Sequence, residues 1–445
     1  MKKLVETIKN IWKIEELRTR IFITFLFVLI YRFGSYIVLP GINPGELSEL
    51  EKQTSEGLMS LLDMFSGGAF SNASIFALGI MPYISASIVI QLLTIAVPTF
   101  QKMQKEGESG RRKITQYTRY LTVLILLLQG PSYLVNLSIQ MNGAMPADWW
   151  FKISSTIILC GGSMFVMWLG ERITDKGIGN GISFIILVGI IVRFPSAVTQ
   201  EFAFCLSDNE GGGLIKFLLE IVFFLVVIAA SILLVQGVRR VPVQYAKQML
   251  GNKQYSGARQ YLPLKVNAAN VMPIIFAQAI MFIPLLVAPM LFKGGEAEGM
   301  LGKFTSPDGF WYNLIFALLI ILFTYFYTAI TINPTQMAED MKRNGGFVPG
   351  VKAGSATAEY IDLIMSRITL PGSIFLAAIA ILPAIARLFD IKMSFAQFFG
   401  GTSLLIMVGV VLDTLQQVES HLLMRHYDGL LKSGRIKGRS GVSAY

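Results

Sequence analysis

The chain has 445 residues, 53% of them hydrophobic and 15% charged, with a mean hydropathy of +0.58. Soluble domains are about a quarter charged, so this balance excludes a soluble enzyme, a disordered scaffold and a disulfide-stapled secreted domain, and leaves a polytopic membrane protein. The formal charge of +10 would suggest nucleic acid in a soluble protein; in a membrane protein it must first be assigned to one side or the other.

Residues 1–20 set Leu4, Ile8, Ile11 and Trp12 on one helical face among six Lys/Arg. That pattern fits a helix lying in the membrane interface, and equally a solvated charged helix. No small-residue cleavage site follows the first apolar run, so a cleavable signal peptide is not expected.

A spanning helix needs about 20 apolar residues. Ten segments qualify: 21–39, 74–97, 120–137, 152–170, 182–199, 214–236, 270–292, 311–332, 368–386 and 396–417. Their 207 residues contain six charges (Arg32, Lys152, Arg193, Lys216, Glu220 and Asp413), and the remaining 238 residues contain 60. Inside lipid each backbone group must be paired within its own segment, so these runs are read as helices.

The loops on one side (1–20, 98–119, 171–181, 237–269, 333–367 and 418–445) carry net +16, and those on the other (40–73, 138–151, 200–213, 293–310 and 387–395) carry net −8. The positive-inside rule makes the first set cytoplasmic, with both termini. Ten spans divide into halves 21–199 and 214–417, joined by an external linker 200–213 that contains Gly211, Gly212 and Gly213. Five spans per half force the halves into opposite orientations, the inverted-repeat arrangement of many transport proteins.

Several stretches are irregular. Within 40–73, the apolar piece Leu58–Phe65 is too short to cross, and Gly67-Gly68 permits a sharp reversal. Composition alone favours a surface-lying helix here over a re-entrant one. Ser85, Ser87, Gln91 and Thr94 give the second span a polar seam, suited to helix–helix contact or a water-lined face, or satisfied on their own preceding turns. The turn Gly177-Ile178-Gly179-Asn180-Gly181 has the glycines of a phosphate loop without its Lys-Ser/Thr pair or its preceding strand, which argues against nucleotide binding.

Catalytic chemistry is sparse. The two histidines, His421 and His426, both lie in the tail 418–445, and the two cysteines, Cys160 and Cys205, lie in unlike surroundings. No metal site, nucleophile or disulfide framework follows. Glu220 and Asp413, the acidic residues of the spans, lie near span ends, which argues against a proton- or sodium-coupled carrier. A passive conduit, a scaffold or an insertion device remains.

Met81-Pro82-Tyr83-Ile84-Ser85-Ala86-Ser87-Ile88, continuing through Gln91-Leu92-Leu93-Thr94 to Lys105-Glu106-Gly107-Glu108-Ser109-Gly110-Arg111-Arg112-Lys113, resembles the signature of the SecY family, the central channels of the bacterial Sec protein translocase. GIGNGIS (177–183), LPLKVN (262–267), FVPG (347–350) and FGGTSLL (399–405) resemble it further, in order and across essentially the whole chain.

The resemblance implies an all-α polytopic fold of ten transmembrane helices, in two inverted five-helix halves around a central pore with a re-entrant plug helix. The plug would be 58–72, including Leu58, Leu61, Leu62, Met64, Phe65, Gly67 and Gly68, in place of the surface helix that composition favours. A constriction ring would comprise Ile80, Ile84, Ile186, Ile275 and Ile406, whose stiff apolar side chains resist wetting without binding a passing chain. A lateral gate would include Ser85, Gln91, Gln129, Gln278 and Ile283, and the loops 237–269 and 333–367 would dock the SecA motor and the ribosome through Arg239, Arg240, Lys247, Lys253 and Lys352. Lys352 stands where the family usually carries Arg.

The implied partners are SecE and SecG subunits, SecA, the ribosome, preproteins with signal peptides, SecDF, YidC and membrane lipid, in the bacterial cytoplasmic membrane. The implied activity is translocation of unfolded preproteins and lateral release of hydrophobic segments, with no cofactor and no catalysis. A small-solute secondary transporter and a poreless scaffold are the competing classes.

Overall fold

The computed structural model describes residues 12, 14–43, 63–140, 148–207, 213–245, 248–250, 253–255, 259–278, 280–281 and 309–432. The first half contains α1 (Glu15–Gly34), α2 (Met81–Ala96), α3 (Pro98–Lys105), α4 (Glu108–Gln140), α5 (Trp149–Lys176) and α6 (Gly181–Leu206). The second contains α7 (Gly213–Gln236), β1 (Val238–Tyr245), β2 (Gln248–Leu250), β3 (Lys253–Tyr255), β4 (Arg259–Lys265), α8 (Phe310–Thr331), α9 (Pro334–Arg343), β5 (Gly346–Phe347), α10 (Ser355–Arg387), α11 (Met393–Ala396) and α12 (Gly401–Lys432).

Among the described residues, α4 to α8, α10 and α12 are seven helices long and apolar enough to cross a membrane, and the sharply bent pair α2–α3 makes eight. Of the other two expected spans, 270–292 is described only as far as Met281, and 21–39 becomes α1, which begins earlier and stops at Gly34. Beyond Gly34 the backbone is claimed by another partner. Leu39 N donates to Ala73 O at 2.9 Å and Ile75 N to Ile37 O at 3.0 Å, so 37–39 and 73–75 pair in an extended bridge. For the same reason the expected span 74–97 is helical only from Met81: residues 75–80 are turns, Gly79 has φ +52°, and Pro82 sits in the first turn of α2.

The helices are apolar on the side that faces out. α7 exposes Leu214, Ile215, Leu218, Leu219 and Val222 and buries Glu220, Phe224, Val227, Ser231 and Leu234. The buried set repeats with helical spacing and includes the polar groups, the reverse of a soluble helix and the arrangement lipid requires.

One large cluster draws on both halves. It joins Tyr31 of α1, Val166 and Leu169 of α5, Ile185 and Ile190 of α6, Phe224 of α7, Ile320 of α8, Leu376 of α10 and Leu404 of α12. An aromatic group of Phe194, Phe224, Phe395, Phe398 and Phe399 packs where α6, α7 and the α11–α12 corner meet, with ring centroids 5.1–6.0 Å apart.

The two long basic loops are not separate. β1 pairs antiparallel with β4 (Val241 opposite Leu262) and also with β5 (Gln244 opposite Phe347), giving the order β4-β1-β5. Val241, Val243 and Leu264 from the first loop pack with Met341 and Val348 from the second and with Ile361 and Met365 of α10. Alternating burial along β1 puts Val241 and Val243 inside and Arg239, Arg240 and Pro242 outside. This sheet, the short antiparallel pair β2–β3 and the Val38–Ser74 bridge are the described β structure in an otherwise helical fold.

Candidate functional site: a central apolar cluster and its inserted segment

Ile80 and Ile84 lie one turn apart at the start of α2, Ile186 comes from α6 and Ile406 from α12. Ile80, Ile186 and Ile406 are buried in the central cluster and Ile84 packs against it. Ile275 is half-buried, and its neighbour Ile274 is the residue fully buried in that cluster.

Met64 and Phe65 belong to the same cluster as these isoleucines. The described part of 58–72 starts at Asp63 and is buried through Ser71, so it is inserted rather than surface-lying; Leu58, Leu61 and Leu62 lie outside the described residues. Glycines let the inserted backbone come this close. A Cβ on Gly67 (φ +65°) would lie 2.8 Å from Gly189 Cα, and one on Gly189 would lie 3.0 Å from Phe65 O. Gly68, at φ +90°, completes the reversal.

Polar contacts tie the segment to its surroundings. Ser403 Oγ of α12 donates to Met64 Sδ at 3.4 Å, Arg32 Nη1 to Gly67 O at 2.7 Å, and Tyr133 Oη of α4 to Phe70 O at 2.9 Å. Within the segment, Ser71 N donates to Asp63 Oδ1 at 2.8 Å and Gly68 N to Asp63 O at 2.9 Å. Asp63 also pairs with Arg193 of α6. Sequence reading passed over Arg32 and Arg193, although a charge in a lipid-spanning helix calls for a partner.

The lateral-gate candidates occupy separate places. Ser85 and Gln91 are half-buried on α2, and Gln91 Oε1 is buried without a hydrogen-bond partner among the described residues. Gln129 is exposed on α4. Gln278 lines a cavity of about 80 Å³ together with Tyr312, Asn313, Arg387 and Gln397. Ile283 lies outside the described residues.

Of the docking candidates, Arg239 and Arg240 are exposed on β1 and Lys352 is exposed just before α10. Lys247 lies outside the described residues, as does the side chain of Lys253 on β3.

The Gly177–Gly181 turn has its amides occupied. Ile178 N donates to Thr24 Oγ1 at 3.1 Å, Gly179 N to Gln417 Oε1 at 2.9 Å and Gly181 N to Thr174 Oγ1 at 2.9 Å. Asn180 Oδ1 caps α6. The turn therefore ties α1, α5, α6 and α12 together with donors that a phosphate would otherwise need.

Among the described residues one group has metal-ligand chemistry. Ligand atoms of Glu201, Cys205 and Glu220 lie within 4.8 Å of one another, all buried. Glu201 Oε2 accepts from Lys392 N at 3.0 Å, and the amines of Lys216 and Lys392 both lie over the Phe204 ring. Glu201 thereby joins the end of α6 to the segment before α11.

Helices of membrane-spanning length packed around an inserted, glycine-turned segment are the architecture of a membrane channel. Comparison with known proteins gives the family. A family model described as SecY matches residues 74–415. The chain is 41% identical over 444 residues to the protein translocase subunit SecY of Thermotoga maritima (98% of this chain, 99% of that one). It is 42% identical over 432 residues to that of Streptomyces galbus (94% and 97%). In fold it resembles a solved protein-conducting channel, with TM-score 0.64 at 16% identity over 95% of each chain. It also resembles Sec61 in the canine ribosome-channel complex, with TM-score 0.58 at 17% identity over 95% of each chain. The chain belongs to the SecY family: it is a multi-pass translocase channel subunit and not an enzyme.

Proposed function

We propose that this chain is the central pore of a bacterial Sec translocase, passing unfolded preproteins across the cytoplasmic membrane and releasing hydrophobic segments sideways into lipid. The observation that carries this reading is the apolar cluster that contains Met64 and Phe65 together with Ile80, Ile186 and Ile406. A narrow apolar ring resists wetting and blocks ions, yet offers a sliding chain no specific bonds. In this reading residues 58–72 are the plug, Ile275 completes the ring, and Ser85, Gln91, Gln129, Gln278 and Ile283 border the lateral exit.

Family membership supports SecE and SecG as subunits that hold the two halves. The joined sheet supports docking: Arg239, Arg240 and Lys352 are exposed cations suited to ribosomal RNA or to an acidic face of a motor protein. SecDF and YidC are further partners on the strength of family alone. The net charge of +16 on one set of loops puts that set, with both termini, in the cytoplasm.

The test is deletion of 58–72 in the purified complex, followed by ion conductance in planar bilayers. Raised conductance is expected. Conductance at background would remove both the plug and the pore. Copurification of a SecE-like subunit tests the clamp, and charge reversal at Lys352 is expected to impair SecA-driven translocation.

A further inference from the structure

Two of the six charges in the expected spans, Arg32 and Arg193, reach the inserted segment. They do so differently. Arg32 meets a backbone carbonyl, that of Gly67. Arg193 meets a carboxylate: its Nη2 pairs with Asp63 Oδ2 and also donates to Ser71 Oγ at 3.0 Å. The Asp63 side chain is 2% exposed and that of Arg193 27%. Asp63 is bound into its own segment through Ser71 N, so the carboxylate travels with the segment if the segment moves. Arg193 belongs to α6, the helix that also supplies Ile186 and Gly189 to the constriction.

We propose that Asp63 and Arg193 are a charged latch: positioning residues that set how readily the plug leaves the constriction. The proposal rests on reading 58–72 as the plug. In the seated state each charge neutralises the other. Withdrawal of the plug separates them and leaves a guanidinium on a membrane helix without its counter-ion. Breaking a buried ion pair is costly because the remaining partner stays desolvated. Here the guanidinium is partly exposed, which reduces the cost without abolishing it. The isoleucines supply no such charge-dependent term, and Arg32 makes a charge-assisted bond to a neutral carbonyl rather than an ion pair. A channel so built opens only when something outweighs the pair, and its resting leak is suppressed beyond what apolar packing alone achieves.

The test is a double-mutant cycle on the full complex in planar bilayers, reading spontaneous opening frequency. Asp63→Asn and Arg193→Gln should each raise it roughly tenfold, and the double variant should exceed neither single by more than a small factor. Arg193→Lys, which keeps the charge, should lie closer to the parent. Arg32→Gln combined with Asp63→Asn should be multiplicative, since Arg32 meets a different group. Parental opening in both singles, or a double variant equal to the product of the singles, overturns the latch. If Arg193→Gln does not assemble, the cycle of Arg193→Lys with Asp63→Asn reads the same coupling. Deletion of 58–72 is run alongside. A leaky deletion with silent point variants removes the latch and keeps the plug; a silent deletion removes the plug itself.

Discussion

The Tyr31 hydroxyl donates to the Ser66 carbonyl oxygen at 3.0 Å, joining α1 to the inserted segment 35 residues later. The Tyr31 ring lies parallel to Phe76 at 6.1 Å, so its position is set by stacking and its hydroxyl is left to make the bond. Ser66 O also receives Ala69 N at 3.4 Å and is not orphaned when Tyr31 is changed. Tyr31→Phe is therefore expected to keep the stack and lose about 1 kcal/mol. A lowered thermal midpoint in detergent, with raised spontaneous opening in bilayers, checks this. An unchanged midpoint would show that the bond contributes nothing to seating.

The isoleucines proposed to form the ring make a second case. Ile406 is buried in the central cluster, so Ile406→Ala opens a void and should cost about 3 kcal/mol of stability if the site does not collapse. Ile186→Asn should behave differently. It supplies hydrogen-bonding groups where none stood, and so favours water in the constriction. Ion leak from proteoliposomes should rise more for the asparagine than for the alanine. The reverse order would mean that volume, not polarity, controls the seal.

Much of this was legible in the sequence because it depends on local pattern. Apolar runs of spanning length gave α4 to α8, α10 and α12. What was not legible depends on distant partners. Nothing near Val38 announces that it will bridge Ser74 and end α1 early. The strands 238–245 and 259–265 alternate only weakly, and β5 has two residues, so the sheet that fuses the basic loops emerges from pairing 100 residues apart. The inserted segment was misjudged on composition because its eight apolar-rich residues look interfacial. Its burial is made possible by the Gly67–Gly189 contact and by arginines on other helices. Arg32 and Arg193 were nonetheless visible as unexplained charges within spans, and asking for their partners would have pointed to the segment.

The Gly177–Gly181 turn separates capping from close packing. Asn180 accepts from Ile182 N at 3.2 Å, so Asn180→Ala should cost about 1 kcal/mol. At Gly181 the obstacle is backbone: a Cβ would lie 2.0 Å from Gly170 O. Gly181→Ala must push α5 and α6 apart and should lower the yield of folded protein well below that of Asn180→Ala. Comparable yields would show that the α5–α6 crossing can yield at this point.

The sheet predicts that one substitution will loosen two loops. Val243 is buried beside Val241, Met341 and Val348, and β1 borders both β4 and β5. Val243→Asp places an unpaired carboxylate in that small core, at a cost of several kcal/mol. β1 is the middle strand, so its loss unpairs both neighbours at once. Trypsin should then cut at Arg259 and Lys265 in the first loop and also at Lys342 and Arg343 in the second, although the substitution lies only in the first. Arg240→Glu is the matched control. Arg240 is exposed on the same strand, so the change should stay within about 0.5 kcal/mol for folding and leave the cleavage pattern as it was, while weakening salt-sensitive binding to ribosomes. Cleavage confined to the first loop in Val243→Asp would mean that β5 and α9 hold their shape without β1, and that the two loops fold independently after all.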